Sequence, residues 1–475
     1  MWTVAAGMGA RLVGLVGTLL VTRFVSPDAY GEVTIAAVLV MTANQLSTIG
    51  LGQYLVSRRD AGRAAAFHVT AFHVALGAIA LAILLVARRR LGLALDVPGM
   101  GRFLPGLALS TLLDRIAFVP ERILVRDLRF GVVGAGRSAG EIAFSGVCVG
   151  LAATGWGAAA IVVGNVARSV VRATIFIVAV DRRDWLEPCR LTIQKTRELL
   201  AFGIPIALGS LCAFASRRWD NLLVSRFFGP GPAGMYNLAY NLADVPAIQV
   251  GEQIGDVLLP SFARMEPTRR PAALVKSVTL LALVVFPLAV GLGAVAPTVV
   301  AALFNPRWRP IGPMLVMLSA LSVSRPIGWT IASYLQARQR PRSILALEAL
   351  KLVVMLVAIV TFGTRSPLWT CAAVGTAFAA HALASLWLVQ RLDGLPLGSV
   401  LGNLGRVLLA CAPMVVAVLG VRLALGTVGI AHPALGLFLE TLAGVVAYPP
   451  AALLMVRGPS RDLLVRALDA VRPTK

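Results

Sequence analysis

Arg23-Phe24-Val25-Ser26-Pro27-Asp28-Ala29-Tyr30-Gly31 decides how this chain is read, because a second copy lies far downstream: Arg226-Phe227-Phe228-Gly229-Pro230-Gly231-Pro232-Ala233-Gly234. Arg, Phe, Pro and Gly recur in register, and Ala36 matches Ala239 further on. Each copy follows one apolar run and precedes another, so each is expected to be a corner between two helices. Proline is expected to stop the first helix and glycine to allow the reversal. A repeated corner makes the chain two related halves, an arrangement that membrane transporters use to build their sites.

Composition supports membrane helices. The chain has 475 residues, is 58% hydrophobic and only 14% charged, where a soluble protein carries roughly a quarter charged residues. Its mean hydropathy is +0.82. Apolar runs of about 20 residues, the length that crosses a bilayer, recur from end to end. The net charge of +22 sits mainly in short segments between these runs. That placement fits positive-inside topology and contact with anionic membrane lipids, and argues against nucleic acid as a partner. The five cysteines, Cys148, Cys189, Cys212, Cys371 and Cys411, are scattered without a CxxC pair and read as packing residues. The first apolar run starts almost at Met1 and is expected to be an uncleaved span.

Spans are expected at about 2–22, 33–56, 65–87, 103–119, 131–152, 158–180, 199–227, 235–260, 277–296, 311–335, 344–362, 367–389, 407–425 and 433–456. The fold class is therefore an all-α polytopic membrane protein with about fourteen transmembrane helices. The domain reading is an N-lobe at 1–180, a cytoplasmic linker at 181–198, a C-lobe at 199–391, and two additional helices with a tail at 392–475. With both termini in the cytoplasm, inner segments hold roughly 25 Lys and Arg and outer loops roughly 8. Arg88-Arg89-Arg90 is the one basic cluster on the outer side.

These residues resemble a known family. Arg23-Phe24…Pro27…Tyr30-Gly31 is similar to the R-x-L-G-P-x-x-(F/Y)-G corner of polysaccharide flippases, members of the multidrug/oligosaccharidyl-lipid/polysaccharide exporter superfamily. Trp219-Asp220-Asn221-Leu222-Leu223-Val224, Gly229…Gly234-Met235-Tyr236…Ala239-Tyr240 and Leu259-Pro260-Ser261-Phe262-Ala263-Arg264 follow the same family's pattern in order. The resemblance implies two six-helix lobes plus two C-terminal helices, and a cavity opening alternately to the two sides. It also implies a cargo of undecaprenyl-pyrophosphate-linked oligosaccharide in a bacterial inner membrane, with a polysaccharide polymerase as a candidate partner. A multidrug/cation antiporter or a lipid II flippase of the same superfamily are the alternatives, and a membrane polysaccharide polymerase a remote one.

Charges inside a bilayer need a reason. An anionic pyrophosphate suits Arg, which is permanently charged and bidentate. Arg11, Arg168, Arg172, Arg217 and Arg325 are accordingly the candidate lining of a cationic cavity. Arg168 and Arg172 share a helix face with no acid within a turn. Arg217 has Asp220 near enough to pair with. Arg137 and Glu141, four apart, are expected to pair with each other, and Glu348 with Lys351 likewise. Asp114 and Arg115 are adjacent and face different ways. Asp220, Glu252 and Asp256 are the candidates for carrying a coupling H+ or Na+, while His381 reads as a packed polar residue. Pro27, Gly31, Pro230 and Gly234 mark the rim corners. No cofactor or metal site is expected, and the absence of GxxxxGK[ST], HExxH and GxSxG points to a transporter rather than an enzyme.

Overall fold

The computed structural model describes residues 14, 17–51, 55, 62–190, 192–428, 432–456, 458 and 460. Among them no strand occurs, and fourteen helices of seven residues or more carry the fold. Among the described residues, eight segments are long and apolar enough to cross a membrane. Their outward faces carry Val86, Val416 and Leu423, at 87%, 68% and 72% exposure. Water would penalise such surface; lipid does not. The chain is a multi-pass membrane protein.

Cα packing divides it into two units, Met1–Met235 and Tyr236–Lys475. In the first, α1 (Pro27–Leu46) packs on α2 (Arg63–Ala94), α3 (Leu104–Arg126) and α6 (Ile193–Phe228), and α3 and α4 (Phe130–Ala153) both lie along α5 (Ala159–Val178). Its apolar core gathers Val69, Val119, Leu124 and Phe176 with Trp185, which a short helical turn, Arg183–Leu186, carries into it. α7 (Pro230–Arg264) begins in this unit and ends in the second.

The second unit is built on α8 (Arg270–Leu303), which contacts α9 (Ile311–Leu321), α10 (Arg325–Ala337), α13 (Leu397–Val428) and α14 (Pro433–Met455). α11 (Pro341–Thr361) and α12 (Pro367–Asp393) pack side by side. Arg422 on α13 clasps this group. It donates to Glu440 of α14 at 2.7 and 3.0 Å and to the Ala294 carbonyl of α8 at 2.6 Å, and Thr298 donates to the same carboxylate at 2.8 Å.

Several boundaries differ from the sequence reading. α2 runs through Arg88-Arg89-Arg90 to Ala94, with all three arginines exposed on its last turns. Their long stems let the charges reach the interface while the backbone stays helical. α3, expected to end near 119, passes through Pro120 and gains the buried Glu121. α6 starts at Ile193, within the segment 181–198. The run at 311–335 is broken: a 3-10 turn, Ser322–Ser324, separates α9 from α10, and Pro326 supplies no N–H to continue the ladder.

The repeated corners also work differently from the reading. Pro27 and Pro230 open the following helices, where a missing N–H costs nothing, instead of stopping the preceding ones. Ser26 caps α1 by accepting from the Ala29 amide at 3.3 Å, and Gly229 takes φ +82° at the second corner. Gly31 and Gly234 lie inside the helices. A Cβ on Gly31 would overlap the Pro230 carbonyl, and one on Gly234 would lie 2.7 Å from the Pro27 carbonyl oxygen. The repeat is therefore a point where two helix backbones touch.

Candidate functional site

Three helices of the first unit carry a ladder of opposite charges. Glu121 of α3 accepts from Arg137 of α4 at 2.7 and 3.0 Å. Arg172 of α5 reaches the same carboxylate at 3.7 Å and Asp114 of α3 also at 3.7 Å. Arg168 of α5 donates to Glu141 of α4 at 3.3 Å and to the Asn165 side chain, with its guanidinium 4.9 Å from the centre of the Phe144 ring. Counted from the helix ends at 126, 130 and 178, Glu121, Arg137 and Arg172 lie roughly 8–10 Å deep, and Asp114, Glu141 and Arg168 roughly 15–18 Å. The ladder thus has a shallow and a deep rung, the deep one near the middle of a bilayer about 30 Å thick.

Glycine makes the ladder possible. A Cβ on Gly140 would meet the stems of both Arg172 and Arg168, and one on Gly136 would strike Phe176. α4 and α5 therefore approach closely, and the arginine stems cross the gap over Gly140. Gly14, near the start of the described chain, faces the deep rung; a Cβ there would lie 3.2 Å from Glu141 Oε2.

The expected Arg137–Glu141 pair does not form. In one helix, an acid preceding a base by four residues is the favourable order, and here the base comes first. Glu121, sixteen residues away and buried, wins instead. Arg168 and Arg172, without an acid on their own helix, find Glu141, Asp114 and Glu121 on the neighbours. Three guanidiniums meet three carboxylates, so the ladder is charge-balanced. It is not fully satisfied: Asp114 Oδ1 and Arg172 Nε are buried and make no hydrogen bond. Orphaned buried groups of this kind mark places where a ligand or water completes the set.

Arg115 lies next to Asp114 but is separate from the ladder. It is 2% exposed, in space left by Gly77. It donates to the Asn44 side chain at 2.8 Å, to the Asn44 carbonyl at 2.7 Å, to the His73 carbonyl at 2.5 Å and to Ser47. No carboxylate balances it among these contacts. The C-terminus of α1, with its free carbonyls and partial negative charge, does.

The remaining candidates are dispersed. Arg217 is exposed, whereas Asp220 is fully buried and accepts from both the backbone and the side-chain amide of Asn221. In the second unit, Arg325 pairs with Asp244 of α7. Glu348 binds Lys351 at 2.6 Å, as its spacing foretold. Arg11 and the side chains of Glu252 and Asp256 lie outside the described residues. Glu121 and Asp244 were not among the candidates, and Asp114 was weighed only against its neighbour Arg115, although each is an acid within or at the edge of an apolar run, and that signal was available.

The fold is that of a known class of multi-pass helical membrane protein. The solved lipid II flippase MurJ superposes with a TM-score of 0.78 over 98% of this chain and 99% of that one, at 14% identity. The chain belongs to the polysaccharide biosynthesis protein family, which matches residues 20–313. It is 24% identical to the lipopolysaccharide biosynthesis protein WzxC of Escherichia coli, over 71% of this chain and 69% of that protein. It is also 24% identical to the succinoglycan biosynthesis transport protein ExoT of Rhizobium meliloti, over 100% and 95%.

Proposed function

We propose that the chain flips polyprenyl-pyrophosphate-linked oligosaccharide units across the bacterial inner membrane by alternating access, for assembly of a surface polysaccharide. The observation that carries the reading is the state of Arg172. It stands in mid-helix, holds two carboxylates only at 3.7 Å, and leaves Nε without a partner. It is the guanidinium most readily redirected to a phosphate oxygen, in bidentate geometry. Arg168 stands one turn deeper to share the charge. Asp114, once released, is an acceptor for sugar hydroxyls, and its orphaned Oδ1 already has that capacity free. An exporter of cationic drugs needs an excess of acid, and each carboxylate of the ladder faces a guanidinium. The names borne by WzxC and ExoT point to the same class of cargo.

The excess of Lys and Arg in inner segments supports cytoplasmic termini, and the same residues would meet anionic lipid head groups. A polysaccharide polymerase, which consumes the flipped unit, is the natural protein partner.

Native mass spectrometry of the full chain in mild detergent tests the proposal. A co-purified polyprenyl-pyrophosphate oligosaccharide, depleted at least tenfold in Arg168→Ala/Arg172→Ala, is the expected result. Lipid II in its place would reassign the pathway; binding of small cations with no polyprenyl lipid would overturn the reading.

A further inference from the structure

The second unit holds another buried ionisable array, and it does not resemble the first. Lys351 of α11 is bound by Glu348 at 2.6 Å, and the other oxygen of that carboxylate lies 3.7 Å from Nε2 of His381 on α12. The Phe378 ring of α12 sits between two cations, with Arg325 4.8 Å and Lys351 5.4 Å from its centre. Arg325 in turn pairs with Asp244 of α7. Gly328 of α10 leaves the space for the imidazole: a Cβ there would come 3.1 Å from its Cε1. Glu348, Lys351, Asp244 and His381 are all largely hidden, and the first two lie seven and ten residues into a helix of 21.

The ionisable groups that face one another here come from four helices: Asp244 from α7, Arg325 from α10, Glu348 and Lys351 from α11, and His381 from α12. With His381 neutral, two cations and two carboxylates cancel. A metal cation is a poor occupant. The carboxylate that could bind it already holds an ammonium at 2.6 Å, and Arg325 is fixed nearby. A proton is different, because it needs no coordination shell and no empty space. His381 can gain one, and Glu348 stands close enough to stabilise the imidazolium or to take the proton itself.

We propose that His381 and Glu348 form a proton-binding site, with Lys351 as the built-in competitor for the carboxylate. One proton arrives from one side of the membrane. An N–H bond forms on His381 Nε2, or an O–H bond on Glu348 Oε1, and no other bond changes. The array then carries one positive charge, and Glu348 must choose between imidazolium and ammonium. Glu348 shared with the imidazolium holds Lys351 less firmly, and a weakly compensated ammonium in an apolar interior is costly, so the protonated array favours an arrangement that hydrates it. Release of the proton to the other side restores the neutral set. The transport reading enters only in saying what this cycle drives.

Proton uptake by the purified, cargo-free chain tests the site, measured with an indicator dye after a jump from mildly alkaline to acidic medium. Two variants serve: His381→Asn, and Glu348→Gln/Lys351→Met, which stays charge-balanced. Each, if folded by its unfolding midpoint, is expected to take up about one proton per chain fewer than the parent. Equal uptake by parent and both variants overturns the site, whatever the cargo proves to be. Loss of uptake together with intact polyprenyl-lipid binding upholds it independently of the ladder in the first unit.

Discussion

Replacing Gly31 by alanine isolates the contact between the two corners. In an ordinary helix interior this change is favourable by about 0.5–1 kcal/mol, since glycine surrenders more backbone entropy. Here the new Cβ would overlap the carbonyl of Pro230. The obstacle is helix backbone, which has no rotamer to escape into, so α1 and α7 must separate. Overpacking of this kind costs about 1–3 kcal/mol, the upper end applying where the neighbour cannot move. Set against a helix gain of about 1, a cost of about 3 leaves a net loss of about 2 kcal/mol. In a chain of this length that corresponds to an unfolding midpoint lowered by about 2 °C. Gly402→Ala is the internal control, because a Cβ there meets nothing within 4 Å. Thermal unfolding in detergent, followed by circular dichroism, should place Gly31→Ala below the parent and Gly402→Ala at or above it. The pair Gly31→Val/Gly234→Val should lose transport as well. If Gly31→Ala unfolds with or above Gly402→Ala, the two backbones do not touch and the reasoning fails.

Arg115→Met should destabilise the first unit by about 2–4 kcal/mol, because the Asn44 and His73 carbonyls lose their donor. Arg115→Lys should recover only part of it, since one ammonium cannot span a fork's acceptors; the unfolding midpoints order the three proteins. Glu440→Gln should cost about 3 kcal/mol by leaving Arg422 without its counter-charge, and Arg422→Met/Glu440→Leu should restore most of it. Failure of that double variant to recover would mean the clasp does more than balance charge. Trp185→Ala, which empties part of the first unit's core, should free the segment around it. Trypsin cleavage at Arg182 and Arg183 should then be several-fold faster than in the parent.

The spans were legible because a bilayer demands runs of a fixed length, and such runs are plain in any sequence. The repeat was legible too, though its role was not. Whether a glycine turns a chain or lets two helices touch depends on what lies opposite, and Pro230 lies some two hundred residues from Gly31. The ladder was half legible. Spacing rules see along one helix, so they paired Glu348 with Lys351 correctly and Arg137 with Glu141 incorrectly. They could not see Glu121, which Pro120 had placed beyond the expected end of its span. The break at Ser322–Ser324 could have been read from Pro326, which has no N–H to offer the carbonyl four residues before it.

The ladder has a consequence for how the protein is made. α3 and α4 carry its acids and Arg137, and neither is apolar enough to count as a spanning segment by itself, nor is α1. Six of the eight segments that are lie beyond residue 266. As the chain leaves the ribosome, α1, α3 and α4 therefore emerge as helices that lipid alone accepts poorly. α4 must wait for Arg168 of α5 to neutralise its glutamate, and α3 for Arg172, or be sheltered until they emerge. The charge pairs of the ladder thus set the order of its biogenesis, and make α3 and α4 clients of whatever insertase or chaperone holds them.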